Sequence, residues 1–184
     1  MWTFNCYILF LFAAILPMIS CNRTELIVLK PGREWRCTFR QTDNCGIVNQ
    51  SLMPSNFSYL PESELFGDVG LYYLETSGCS RQGARLMTPY FRWPPHVRSI
   101  CLTIRYIIFG KGVQQLSLLK QDRKNAVLWT DIRPGTGRWQ LKHITVSVYS
   151  AFPARFFIES RLRNETGFLA ISEIAIHDSY CMSK

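Results

Sequence analysis

The sequence predicts an all-β domain, built as a two-sheet sandwich or a closed barrel. Three observations predict it. Turn residues recur at short intervals: Pro31-Gly32, Asn44-Cys45-Gly46, Gly67-Asp68, Ser77-Gly78, Pro94-Pro95, Gly110-Lys111-Gly112, Pro134-Gly135 and Asn164-Glu165-Thr166-Gly167. Between them lie about nine short runs rich in β-branched and aromatic residues, which fit a half-buried pleated surface. No stretch of about a dozen residues carries a helical stripe.

In chain order the predicted strands are Leu26–Leu29, Leu71–Glu75, Ala84–Met87, Ile100–Phe109, Val113–Leu119, Ala126–Thr130, Trp139–Val148, Phe156–Glu159 and Phe168–Ile176. In the fourth, Leu102, Ile104, Tyr106 and Ile108 alternate with Thr103 and Arg105, the period of a strand with one buried face. In the last, Phe168, Ala170, Ser172, Ile174 and Ile176 are expected on one face. Within Trp139–Val148 the apolar parity changes, from Trp139 and Leu141 to Ile144, Val146 and Val148, which predicts a bulge or a switch of face near Lys142-His143. Leu116–Asn125 comes nearest to a helical pattern, but its neighbours favour a hairpin. Trp129, Trp139, Phe156 and Phe168 are expected in the core.

With 184 residues, 47% of them hydrophobic and 18% charged, the chain is long enough for one domain with a real core. The core does not include the first segment. Tyr7 to Ile19 is a 13-residue run without charge. That is short of the roughly 20 residues of a membrane span and matches the apolar region of a signal peptide. Cleavage is expected after Ser20 or Cys21, so residues 1–21 are the signal and 22–36 a lead-in. The segment lacks a Lys or Arg before the apolar run. No second such run follows, and residues 182–184 form a short tail without a lipid-anchor signal. The expected product is secreted, with no membrane span once the signal is removed.

An oxidising destination makes the seven cysteines readable: Cys6, Cys21, Cys37, Cys45, Cys79, Cys101 and Cys181. None forms a C-x-x-C motif, and His96, His143 and His177 do not stand at zinc-finger spacing from any of them, so no structural metal is expected. Four N-x-S/T sequons, at Asn22, Asn49, Asn56 and Asn164, fit the same destination and mark surface positions if glycosylated. The formal charge of +8 favours acidic partners such as sulfated glycans. The cations are scattered singly (Arg81, Arg85, Arg92, Arg98, Arg105, Lys120, Arg123, Lys124), with no compact run, and nucleic acid does not suit the destination.

Several motifs stand in a specific order. Cys37-Thr38-Phe39, Cys45-Gly46 and Gly70-Leu71-Tyr72-Tyr73-Leu74-Glu75 are followed by Ala84-Arg85-Leu86-Met87-Thr88-Pro89. Then come Cys101-Leu102-Thr103-Ile104-Arg105-Tyr106 with Phe109-Gly110 and Gly112, Leu128-Trp129, Gly137-Arg138-Trp139, Phe156-Phe157-Ile158-Glu159, and Gly167–Ile176 before Cys181. In order and spacing this set resembles the MAM domain, over residues 37–181. The resemblance implies a jelly-roll-like β-sandwich of two antiparallel sheets. It implies disulfides Cys37–Cys45 and Cys101–Cys181, and a non-catalytic extracellular module that mediates adhesion or self-association. It brings no cofactor.

The chain departs from the family pattern in places. The acidic pair usual around the first Phe is Thr38 and Arg40, and the late Asp-Asp pair is Ser172-Glu173. Hard cations need several anionic oxygens, and Arg40 opposes them, so no strong calcium site is expected. A Trp expected after Cys45-Gly46 is Ile47, and the later F-x-W is Phe57-Ser58-Tyr59. With the two implied bridges formed, Cys79 is left over, together with Cys21 if cleavage spares it. A Cys79-linked homodimer, a Cys21–Cys79 bridge and a free thiol all stay open.

No catalytic signature is present: no H-E-x-x-H, no G-x-S-x-G and no phosphate-binding glycine loop. One segment stands out as a binding surface. Tyr90-Phe91-Arg92-Trp93 precedes Pro94-Pro95, and exposed aromatics with Arg are favoured at interaction hot spots. The competing reading makes it a cap on the open end of the sandwich. The expected function is therefore secreted and non-enzymatic: binding of an extracellular protein partner, of a second copy, or of a carbohydrate or sulfated glycan.

Overall fold

The computed structural model describes residues 25–39, 44–63, 69–77, 83–132 and 135–181. Among them there are fourteen strands and no helix. They are β1 (Leu26–Val28), β2 (Trp35–Cys37), β3 (Val48–Asn49), β4 (Ser58–Ser63), β5 (Val69–Ser77), β6 (Gly83–Met87) and β7 (Tyr90–Arg92). The second half holds β8 (Ser99–Gly110), β9 (Val113–Gln121), β10 (Asn125–Asp131), β11 (Gly135–Thr136), β12 (Gln140–Ser147), β13 (Arg155–Leu162) and β14 (Thr166–His177).

Two antiparallel sheets form a jelly-roll-like sandwich. The five-stranded sheet runs β10-β9-β13-β6-β3. The seven-stranded sheet runs β11-β8-β14-β5-β4, with β12 also along β8 and β2 also along β14. β1 and β7 make a short parallel pair that ties the lead-in to the body. One buried cluster joins the layers: Leu86, Leu116, Leu118, Phe156 and Ile158 from the first sheet meet Leu102, Ile104, Ile171, Ile174 and Ile176 from the second. Each such side chain contributes about 1.5–3 kcal/mol on burial, which is why strand alternation decides which face turns inward.

β8 follows its predicted alternation: Leu102, Ile104, Tyr106 and Ile108 are buried and Thr103 and Arg105 are half-exposed. β14 does not. Its register against β8 shifts between Ile171 and Glu173, so Leu169 and Ile171 face the core before the shift and Ile174 and Ile176 after it. Phe168 and Ala170 therefore do not share the face of Ile174 and Ile176. The bulge placed by sequence in the Trp139–Val148 run is absent, because β12 pairs with β8 without a break from Gln140 to Ser147. Leu141 is simply outward and exposed.

Among the described residues, two disulfides hold the sandwich. Cys37–Cys45 closes a local loop, and Cys101–Cys181 links residues separated by 80 positions. Close backbone approach is absolute at Gly70, where an added Cβ would lie 1.6 Å from the Phe39 carbonyl oxygen. Phe39 itself has φ 55° and is fully buried.

Candidate functional site

The aromatic segment singled out from sequence does not form an exposed platform. Phe91 and Trp93 are 0% and 3% exposed. β7 lies beside β1 on one side, and on the other Phe91 exchanges two backbone hydrogen bonds with Ala154, 2.7 and 3.0 Å. The Phe91 ring meets Trp35 edge-on at 4.9 Å and Trp93 at 5.9 Å. Alternation explains the result: Phe91 and Trp93 point inward and Arg92 outward. Only Tyr90 and Arg92 keep surface. The Arg155 guanidinium lies over the Tyr90 ring at 4.7 Å and donates to Gln121 Oε1 at 2.6 Å.

A site does form beside this segment, at the same end of the sandwich. The turn joining β9 to β10 is shaped by Asp122, whose Oδ1 accepts the backbone N–H groups of Arg123 (2.6 Å) and Lys124 (3.3 Å). A short side chain accepting from the following backbone is the usual reason Asp occupies such turns. It leaves the Arg123 and Lys124 side chains in solvent. Facing them, the segment between β12 and β13 makes its own turn, with the Phe152 N–H donating to the Tyr149 carbonyl at 3.2 Å. Between the two lies a cleft of about 450 Å³, lined by Lys120, Asp122, Arg123, Lys124, Ala126, Tyr149 and Phe152.

Charge within the cleft is unevenly compensated. The Lys120 ammonium sits inside, donating to the Ser147 carbonyl at 3.0 Å and pairing with Asp122 Oδ2 at 3.0 Å. Burial opposes ionisation of Asp122, but the Lys120 ammonium and the Lys124 and Arg123 N–H groups outweigh it and hold the carboxyl below its ordinary range. Arg123 instead lies with its guanidinium carbon 3.8 Å over the Phe152 ring. Neither Arg123 nor Lys124 has an acidic partner among the described residues. Tyr149 is 62% exposed. The cleft thus combines apolar ring walls with two cations that have no acidic partner among the described residues.

The opposite end carries a larger cavity, about 720 Å³, whose walls include Met53, Gly83, Glu159, Arg161, Arg163 and Glu165. Its charges are mixed, with two carboxylates among the cations.

The family model described as "MAM domain, meprin/A5/mu" matches residues 37–182. The chain belongs to the MAM family. No curated protein matches the sequence significantly. Among solved structures, the K1 cleaved adhesin domain of Lys-gingipain from Porphyromonas gingivalis W83 superposes with a TM-score of 0.54 at 11% identity, over 82% of this chain and 100% of that one. TmCBM61 in complex with β-1,4-galactotriose gives 0.51 at 9% identity, over 70% and 85%. At these identities the likeness is one of fold.

In this MAM domain the remaining sequence candidates fall in different places. Cys37, Cys45, Cys101 and Cys181 are in the two disulfides, while Cys21 and Cys79 lie outside the described residues, as does the Asn22 sequon. Asn56 and Asn164 are exposed, and Asn164 lines the larger cavity. Asn49 differs. Its amide donates to the Phe57 carbonyl (2.8 Å) and accepts the Phe57 N–H (2.7 Å), pinning the intervening loop.

Of the departures from the acidic pattern, Arg40 lies outside the described residues. Ser172 is buried, and Glu173 is paired with Arg36, which also bonds Glu34 at 2.8 Å. The hydrogen bond that Arg36 donates to Glu34, and then the Glu173 charge, raise the Arg36 pKa above its usual value against the opposing effect of burial. No group of three or more His, Cys, Asp or Glu among the described residues could hold a metal. His177 Nδ1 lies 2.9 Å from Ser179 Oγ and 3.6 Å from Asp178 Oδ1. Both contacts are to one ring nitrogen, so this is not the relay of a nucleophile, base and orienting acid, which uses both nitrogens.

Sequence reasoning missed the cleft because Lys120, Arg123 and Lys124 look scattered and the two rings lie about 25 residues further on. The available signal was Tyr149-Ser150-Ala151-Phe152-Pro153, an aromatic pair outside any strand alternation.

Proposed function

We propose that this MAM domain is a secreted, non-enzymatic extracellular binding glycoprotein that engages its partner through the end of the sandwich holding Arg123, Lys124 and Tyr149. One observation carries the reading: this end presents cations without an acidic partner and an exposed ring in a cleft, whereas the exposed sequon Asn164 lies at the other end. Glycans placed there leave the basic end open to a partner. Export is supported by the apolar Tyr7–Ile19 segment and by the disulfide framework. Covalent self-association through Cys79 belongs to the same proposal, and non-reducing electrophoresis of the secreted protein reads it directly.

The test uses the labelled full-length secreted protein on intact cells. The double substitution Arg123→Glu/Lys124→Glu is expected to abolish most surface binding while the protein still reaches the medium. Undiminished binding by that variant overturns the assignment of the binding end.

A further inference from the structure

We infer that the cleft between the β9–β10 turn and residues 148–154 takes a sulfated sugar chain, with a pyranose face on Tyr149 and sulfate oxygens on Arg123 and Lys124. This rests on the reading that the basic end is the binding end, and it names the chemical class of the ligand.

The cleft's walls argue for a sugar. At about 450 Å³ it lies in the size range of small-ligand sites. Phe152, Ala126 and the exposed face of Tyr149 offer apolar surface. A pyranose has one face of C–H groups that packs on such a ring, and a rim of polar groups that does not.

The cations argue for sulfate. Lys120 is satisfied by Asp122 and Ser147, so it stiffens the floor without attracting a ligand. Arg123 is held over Phe152 at 3.8 Å, and its planar fork is already ordered before binding. A pre-positioned guanidinium loses less side-chain freedom on capture and matches a tetrahedral or planar oxyanion with paired N–H donors. Lys124 adds a second charge on the same turn.

The adjoining strand edge argues against an acidic peptide. β10 is the outer strand of its sheet and would be the edge for strand addition. Its register shifts between Val127 and Trp129, and a bulge of that kind blunts an edge.

Immobilised heparin at about 0.15 M salt, with the full-length secreted protein, supplies the test. Wild type is expected to be retained, and fully desulfated heparin to retain nothing. Arg123→Glu/Lys124→Glu should weaken binding by at least roughly tenfold, the loss of two charge-assisted contacts. Tyr149→Ala should weaken it severalfold with the same salt dependence. Arg161→Glu/Arg163→Glu makes the same charge change at the opposite end and should leave binding within about twofold, because those cations sit among Glu159 and Glu165.

Arg123→Gln/Lys124→Gln serves if the reversal impairs folding. Equal losses in the two reversal variants, or undiminished retention after desulfation, overturn the inference. Cell binding that needs Arg123 and Lys124 but survives enzymatic removal of sulfated glycans sinks the glycan and leaves the binding end standing. Cell binding indifferent to those residues sinks both.

Discussion

The two ends of the sandwich differ in the property that matters, and it is not size. The end around Met53, Arg161 and Arg163 has the roomier cavity, about 720 Å³ against about 450 Å³. Yet Glu159 is taken by Arg85, which also holds Gln50, and Arg161 lies 4.0 Å from Glu159. The smaller cleft, some 23 Å away along β13 at about 3.3 Å per residue, holds its one carboxylate on its one buried lysine. Its outer cations have no such counterpart. A ligand is drawn by charge and ring surface left unsatisfied, and that is why the smaller cleft is the one proposed as the site.

The largest expected effect tests what keeps the basic end in shape. Cys101–Cys181 lies there: Thr145, opposite Cys101 in the sheet, accepts the Cys181 N–H at 3.2 Å, two residues from the Ser147 carbonyl that holds Lys120. Cys101→Ser/Cys181→Ser should cost about 4.5 kcal/mol, the chain-entropy value for a loop of 80 residues. The urea midpoint reads it. An unchanged midpoint would mean that this end is held by sheet packing alone.

Next in size is the sequon end. Asn49→Ala removes both bonds to Phe57 and should cost about 2 kcal/mol, since the loop amide is left buried without a partner. It should leave electrophoretic mobility unchanged, because the Asn49 amide is occupied in the fold. Asn56→Gln and Asn164→Gln should each raise mobility by one glycan and alter stability by no more than about 0.5 kcal/mol. A glycan found on Asn49 would break the distinction.

The same contrast explains how much of the molecule was legible in advance. Long strands with a clean period of two, β8 above all, were readable because a half-buried sheet writes its burial into alternation. β2, β3 and β11 have two or three residues each, too few to show a period. β14 was misread in one respect because its bulge changes parity after Ile171, while Leu169 to Ser172 are all apolar or small. Phe91 and Trp93 looked like surface because Arg92 and two prolines flank them. Their spacing of two already pointed both rings the same way. Periodicity did not reveal the cleft because its walls come from two separate turns, and turns carry no period.

A smaller effect separates the two roles of Asp122. Asp122→Asn keeps a side-chain oxygen for the Arg123 and Lys124 N–H groups but removes the counter-charge of Lys120, which is 9% exposed. It should cost about 1 kcal/mol and strengthen retention on heparin, because Lys120 then adds to the field of Arg123 and Lys124. Weaker retention would show that Asp122 organises the cations rather than masking one.

The smallest effect is the pH dependence of that difference. The folded Asp122 carboxyl titrates below its ordinary value of 3.8, so its stabilisation is fully present above that value. It is lost only as pH falls through the lower folded value. Wild type and Asp122→Asn should therefore differ in melting temperature by a constant amount from pH 7 down to about 5, and the gap should close in more acid solution. Other carboxylates titrate in both proteins and cancel in the comparison. The groups facing Asp122 are the Lys120 ammonium and two backbone N–H groups, none of which changes charge there. Sulfate stays ionised throughout, so heparin retention of the two proteins should converge over the same acid range. A gap that closes near neutral pH instead would mean that the Asp122 charge does not carry the difference.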